Sequence, residues 1–180
     1  IYIEDIDVSG MTEEEATEAA QAYMAEVEEM SVILRAAAGN EIEVKASELG
    51  IAWSNTEISE EALSMGTSGN VIARYKELKD LENNGYVYRL QYSLDDALVA
   101  QVVEEKCLEF DQHAQNATME RVNGEFVIHE EVAGAVIDKQ ASVDAIKAAL
   151  TSEDVVDESG MVIDLVAKVE EPTGKAEDLA

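Results

Sequence analysis

The sequence predicts an α+β fold in which pseudo-duplicated units, each a helix followed by a β-hairpin, pack around an aliphatic core. Three observations lead there. Runs of helical periodicity alternate with short runs of period two. The hydrophobic fraction is 47% while aromatics reach only 5%, so Ala, Val, Leu and Ile fill the core. One order of elements also recurs. Helix, strand, Gly-Asn turn, strand and ELGI span residues 12–51; helix, strand, Asn-Gly turn, strand and VAGAVI span residues 94–137.

Each element follows from local chemistry. Residues 1–8 (IYIEDIDV) alternate as a strand. Thr12 and Glu15 form a capping box for a helix striped by Ala16, Ala19, Ala20, Tyr23, Val27 and Met30. Strands over 31–37 and 41–45 flank the Gly39-Asn40 turn, and SELGIAW leads through a tight turn into a short extended piece. Two short helices cover 58–65 and 71–81, and Asn83, Asn84 and Gly85 stop the second. Residues 86–92 (YVYRLQY) alternate as a strand with Tyr86, Tyr88, Leu90 and Tyr92 on one face. A helix over 94–110 is capped by Ser93 and striped by Leu94, Ala97, Leu98, Val102 and Leu108. Asn123-Gly124 is a type I′ hairpin signal flanked by Met119, Val122, Phe126 and Ile128. Ser142 caps a helix over 143–150, and residues 161–169 form a last strand. The expected division is an N-terminal half (1–92), a C-terminal half (93–170) and a polar linker (171–180) carrying Pro172, the only proline, toward a further module.

Forty acidic and 12 basic residues give a formal charge of −28. Such a surface repels the phosphates of nucleic acid and anionic lipid headgroups, which excludes DNA, RNA and electrostatic membrane binding. It favours cations and basic or neutral partners. No apolar run approaches the roughly 18 residues of a membrane span, so no direct membrane insertion is expected of this chain. It opens without an initiator Met or signal peptide and is expected to be a fragment of a longer protein.

Few residues suggest chemistry. Cys107 follows Glu104 and Glu105, which oppose thiolate formation, so it is expected to be a small buried hydrophobe. Asp5, Asp7 and Ser9, with Gly10, copy the first half of a calcium loop. Position twelve, where a bidentate Glu belongs, is Ala16, so a strand-to-helix turn is expected in place of a metal site. His113 lies past a helix end where it can satisfy terminal carbonyls, and His129 stands beside Glu130 and Glu131; neither has metal-ligand spacing. There is no G-x-S-x-G elbow and no P-loop, so no enzyme activity and no cofactor are expected. Asn116-Ala117-Thr118 matches a glycosylation acceptor, which a loop-to-strand transition also explains. Trp53, Tyr86 and Tyr88 are the candidate binding residues. They form either a sugar-stacking platform or a cover for the edge of a core short of rings.

Three blocks carry a family resemblance. YIEDIDVSGMTEEEA resembles the "yI-g-dvsGmt-eEA" opening of extracellular regions of Gram-positive wall proteins. ALSMGTSGNVIARYKEL looks like their "A-x-x-x-G-x-x-G-N" segment, and ANATMERVNGEFVIHEEVAGAVID is similar to a block ending "G-x-x-lD". Together they resemble the peptidoglycan-binding domain that precedes L,D-transpeptidase catalytic domains and VanW-like domains. The catalytic His and S/T-H-G-C signature is absent, since Cys107 lies in EKCLEF. The resemblance implies a non-catalytic module outside the membrane, on the cell-wall side, held by an anchor and followed by a catalytic domain that this chain lacks. Its partners would be peptidoglycan or its stem peptides, bound in a groove between the two halves, and its own downstream catalytic domain. An acidic groove would suit the free amine of an unlinked stem or cross-bridge. A rigid spacer without a ligand, or a domain regulating its own enzyme by contact, is the alternative.

Overall fold

The computed structural model describes residues 1–64, 71–152 and 160–179. Its opening is a tight hairpin where one strand was expected: β1 (Tyr2–Ile3) turns at Glu4 and Asp5 and returns as β2 (Ile6–Asp7). Glu4 holds a left-handed φ of 52°, which reverses the chain. Hydrogen bonds from the Ser9 hydroxyl and backbone N–H hold the Asp7 carboxyl below its usual range, the latter bond measuring 3.0 Å.

The capping box forms as predicted and starts α1 (Glu13–Glu28). Glu15 N donates to Thr12 Oγ1 at 3.3 Å and Thr12 N to Glu15 Oε2 at 2.8 Å. This helix buries Ala16, Ala20, Met24 and Val27, with Ala19 and Tyr23 at the half-buried margin. β3 (Ser31–Arg35) and β4 (Glu41–Lys45) pair antiparallel, Leu34 opposite Ile42. Their connection is longer than a Gly39-Asn40 turn. Ala38 and Gly39 take φ values of 57° and 77°, and the extended Asn40 donates from Nδ2 to Ala37 O at 2.9 Å. A 3₁₀ turn leads through Gly50 to β5 (Ala52–Trp53), then α2 (Ile58–Ser64) and α3 (Val71–Asn84). The predicted helical Met65, and Gly66, Gly69 and Asn70 of the wall-protein resemblance, lie outside the described residues.

Residues 86–92 divide between two neighbours. β6 (Val87–Tyr88) runs parallel to β1, and β7 (Tyr92–Ser93) antiparallel to β5. The long helix is regular only in α4 (Asp96–Val102), then widens into a π turn over Val103–Cys107 and tightens over Leu108–Phe110. Its cap is Asp95, not Ser93: Ser93 is taken up in β7, and Asp95 Oδ1 accepts from Ala97 N at 2.8 Å and Leu98 N at 3.2 Å. Cys107 is fully buried in the π turn, and burial pushes its thiol up to about 11, which suits packing and not thiolate chemistry.

β8 (Thr118–Val122) and β9 (Glu125–His129) form the predicted hairpin. Asn123 (φ 52°) and Gly124 (φ 92°) both take the positive values a type I′ turn needs. β10 (Gly134–Ile137) leads into α5 (Lys139–Leu150), capped by Asp138, whose Oδ1 accepts from Ala141 N at 3.1 Å. Ser142, the predicted cap, lies fully buried inside the helix, and its Oγ accepts from Val166 N at 3.0 Å. That bond marks the break between β11 (Met161–Asp164), parallel to β3, and β12 (Ala167–Glu170), antiparallel to β10.

The fold is therefore α+β, and a helix followed by a hairpin occurs twice. The two hairpins sit differently. β3 is the middle of the sheet β11-β3-β4 and sends Val32 and Leu34 into the core. Every residue of β8 and β9 is exposed, and no other strand pairs with them among the described residues. The core joins α1, β3, α4 and α5 through the fully buried Ala20, Leu34, Val99 and Ile146, and Tyr92 is the only aromatic among the described buried residues. No described helix is long and apolar enough to cross a membrane.

Candidate functional site

The pairing of β6 with β1 fixes two of the three candidate aromatics. Tyr2 N donates to Tyr86 O and Glu4 N to Tyr88 O, both at 2.8 Å, so Tyr86 and Tyr88 project from one side of a held strand. Their ring centroids lie 4.8 Å apart with planes tilted by 55°. Tyr88 is half-buried and packs against the core, whereas Tyr86 stays 48% exposed. Core packing accounts for the first ring and leaves the second unexplained.

A cavity of about 390 Å³ opens beside these rings, lined by Asn55, Glu57, Ile58 and Glu61 on one side and residues 86–89 and Gln91 on the other. It lies within residues 1–92, not between the two halves. Asn55 organises it. Its Oδ1 accepts from Trp53 Nε1 and Gln91 N, each at 2.8 Å, and its Nδ2 donates to Arg89 O at 3.0 Å. Trp53 is not among the lining residues; it packs partly on the core and is tied to the cavity through its indole N–H on Asn55.

Glu4 is the second organiser. Its side chain is only 8% exposed; Oε1 accepts from Leu90 N at 2.6 Å and Oε2 from Arg89 Nη1 at 2.7 Å. A carboxylate so enclosed needs both partners. Glu4→Ala should cost about 2 kcal/mol, the range for hydrogen bonds to charged groups. Glu4→Gln, which keeps an acceptor for Leu90 N, should recover about half of that. Urea midpoints measure both, and equal losses in the two variants would show that the backbone bond contributes nothing.

The remaining candidates lie elsewhere. Asp5, Asp7 and Ser9 belong to the N-terminal turns. His113 faces a carboxylate and not a helix end: its Nδ1 lies 3.1 Å from Glu170 Oε2, which also accepts from Ala114 N at 2.8 Å. The Ala114 N–H and then the imidazole hold the Glu170 carboxyl below its usual range. His129 Nε2 stands 3.5 Å from Glu120 across the β8–β9 hairpin. Asn116 Oδ1 accepts from Thr173 N at 2.9 Å and Gly174 N at 3.0 Å, so its side chain fastens the C-terminal segment. Among the described residues no three His, Cys, Asp or Glu side chains group to hold a metal ion.

Glu4, Asn55, Glu57 and Glu61 were not foreseen from sequence. Glu4 is one acid among 40, and its partner Leu90 is 86 residues away. The polar run Ser54-Asn55-Thr56-Glu57 ahead of a helix was the available signal, since such runs place side chains on nearby backbone. No curated protein and no solved structure matches the chain. The family model described as "Putative peptidoglycan binding domain" matches residues 42–157, more than half the chain and the stretch holding Asn55, α2 and residues 86–91, so the chain belongs to this peptidoglycan-binding domain family.

Proposed function

We propose that this chain is a non-catalytic accessory domain, outside the membrane, that binds peptidoglycan and positions it for an L,D-transpeptidase-type domain of the same polypeptide. Family membership supports the cell-wall binding role. The exposed Tyr86 ring beside Tyr88, at the mouth of an open cavity, is the observation that carries the reading to a surface. A tyrosine offers a flat apolar face with a wet polar edge, which fits the C–H faces of a sugar and the methyl groups of a stem peptide. Trp53 supports this wall through Asn55 without touching the ligand.

Cosedimentation with purified, teichoic-acid-stripped peptidoglycan tests the reading. The wild-type domain should pellet with the wall. Tyr86→Ala should weaken binding about tenfold, equivalent to about 1.4 kcal/mol, at an unchanged melting temperature because that ring is outside the core. A wild-type domain that stays in the supernatant would make the chain a spacer. Comparing the full-length enzyme with its bare catalytic domain on the same wall then tests positioning: the bare domain should be slower on polymeric wall and equal on soluble muropeptides.

A further inference from the structure

Several of the hydrogen-bond donors around the cavity beside Tyr86 and Tyr88 are already used within the protein. Asn55 Nδ2 is on Arg89 O at 3.0 Å and the Gln91 N–H is on Asn55 Oδ1 at 2.8 Å. The Arg89 guanidinium lies on Glu4 at 2.7 Å, so the one cation in the wall is matched by a carboxylate from behind it. What faces the open space is of the opposite kind. Glu57 just precedes α2 and Glu61 lies in its first turn, its N–H on Glu57 O at 3.1 Å; both are exposed, and no basic side chain pairs with either carboxylate among the described residues. The tyrosine pair lines the same cavity, with the Tyr88 hydroxyl 3.5 Å from Glu61 O.

We propose that this cavity binds a primary ammonium group, the free amine of an un-cross-linked peptidoglycan stem or cross-bridge, between the Glu57 and Glu61 carboxylates and the Tyr86–Tyr88 faces; this rests on reading the domain as a peptidoglycan binder. The carboxylates supply the acceptors that an –NH₃⁺ group needs, and ring faces attract cations at such edges. A stem carboxylate would meet two unneutralised negative charges and is rejected. The domain would thereby distinguish wall that still carries acceptor amines from wall already cross-linked, because cross-linking converts that amine into an amide with neither charge nor a second free proton.

The test uses stripped sacculi before and after N-acetylation with acetic anhydride, which removes the ammonium charge and leaves the glycan intact. Acetylation should weaken binding about tenfold, and so should the isosteric double variant Glu57→Gln/Glu61→Gln on untreated sacculi. The double variant should bind acetylated sacculi as the wild type does. Disaccharide-tripeptides whose only free amine is on the stem, compared with muropeptides whose only free amine is on the cross-bridge, identify the source. If acetylated sacculi bind at full strength while Tyr86→Ala still loses binding, ammonium recognition is wrong and wall binding stands. If the wild type binds neither preparation, both fall.

Discussion

Gly134→Ala should cost at least about 3 kcal/mol of folding free energy, the upper range for forcing atoms into a filled site. Gly134 does not hold a left-handed φ; it is glycine for want of space. A Cβ there would overlap Gln112 O and Ala114 N and come within 2.7 Å of His113 C, all backbone atoms with no rotamer to swing aside. The two segments are also tied on either side. Gln112 N donates to Ala135 O at 2.9 Å and Ala135 N to Gln112 O at 2.7 Å, and Ile137 N reaches Asp111 Oδ1 at 2.8 Å. Relief therefore requires β10 to part from residues 111–114, which also pulls Ala114 N from Glu170. Gly10→Ala is the matched control. Gly10 has φ +83° and nothing within 4 Å, so alanine there meets only the left-handed backbone penalty of about 1–2 kcal/mol. Urea unfolding of both variants decides the matter, and a Gly134→Ala loss no larger than that of Gly10→Ala would refute the close-approach account.

Leu34→Ala should remove about 3 kcal/mol and lower the melting temperature by about 10 °C for a domain of this size. Leu34 is fully buried on the central strand β3, between Ile42 of β4 and Ile163 of β11. Its neighbours are held by ladder hydrogen bonds on both sides, so the sheet cannot close on the void and the cavity contribution adds to the lost transfer energy. Val162→Ala on the adjacent strand, 41% exposed, should stay within about 1 kcal/mol. Calorimetry of the pair measures the contrast. Similar melting points for the two variants would mean that β3 is not the centre of the core.

Local chemistry was legible where two or three neighbouring residues decide the outcome. Thr12 with Glu15 and Asn123 with Gly124 fold as their types require. Caps failed where a better acceptor stood close by: Asp95 displaces Ser93 and Asp138 displaces Ser142, because a carboxylate accepts backbone N–H groups more strongly than a hydroxyl. The strand expected over 1–8 folds back on itself at Glu4, and those over 86–92 and 161–169 broke where tertiary partners, invisible to alternation, changed along their length. At the candidate site the period-two spacing of Tyr86 and Tyr88 announced a shared face, and the rings meet. The carboxylates opposite them, Glu57 and Glu61, arrive from the start of α2 and the residue before it, and the pin behind them comes from Glu4; neither spacing nor composition relates those residues to the tyrosines. Gly134 and Asp138, two carriers of the family resemblance, serve close packing and helix capping, so that block reports the fold more than the ligand.

The uncovered β8–β9 hairpin gives the acid surplus a colloidal meaning. Among the described residues no other strand pairs with its edges, and Phe126 is 69% exposed beneath the Arg121 guanidinium at 5.7 Å. Such edges are templates for adding strands from another molecule, and self-repulsion at −28 keeps the copies apart. That protection is titratable. As the medium is acidified toward the isoelectric point near 4.1, the repulsion vanishes while the edge N–H and C=O groups remain. The same hairpin that is harmless at neutral pH then becomes the seed of edge-to-edge association, and dispersal of the domain depends on how many of its carboxylates stay ionised.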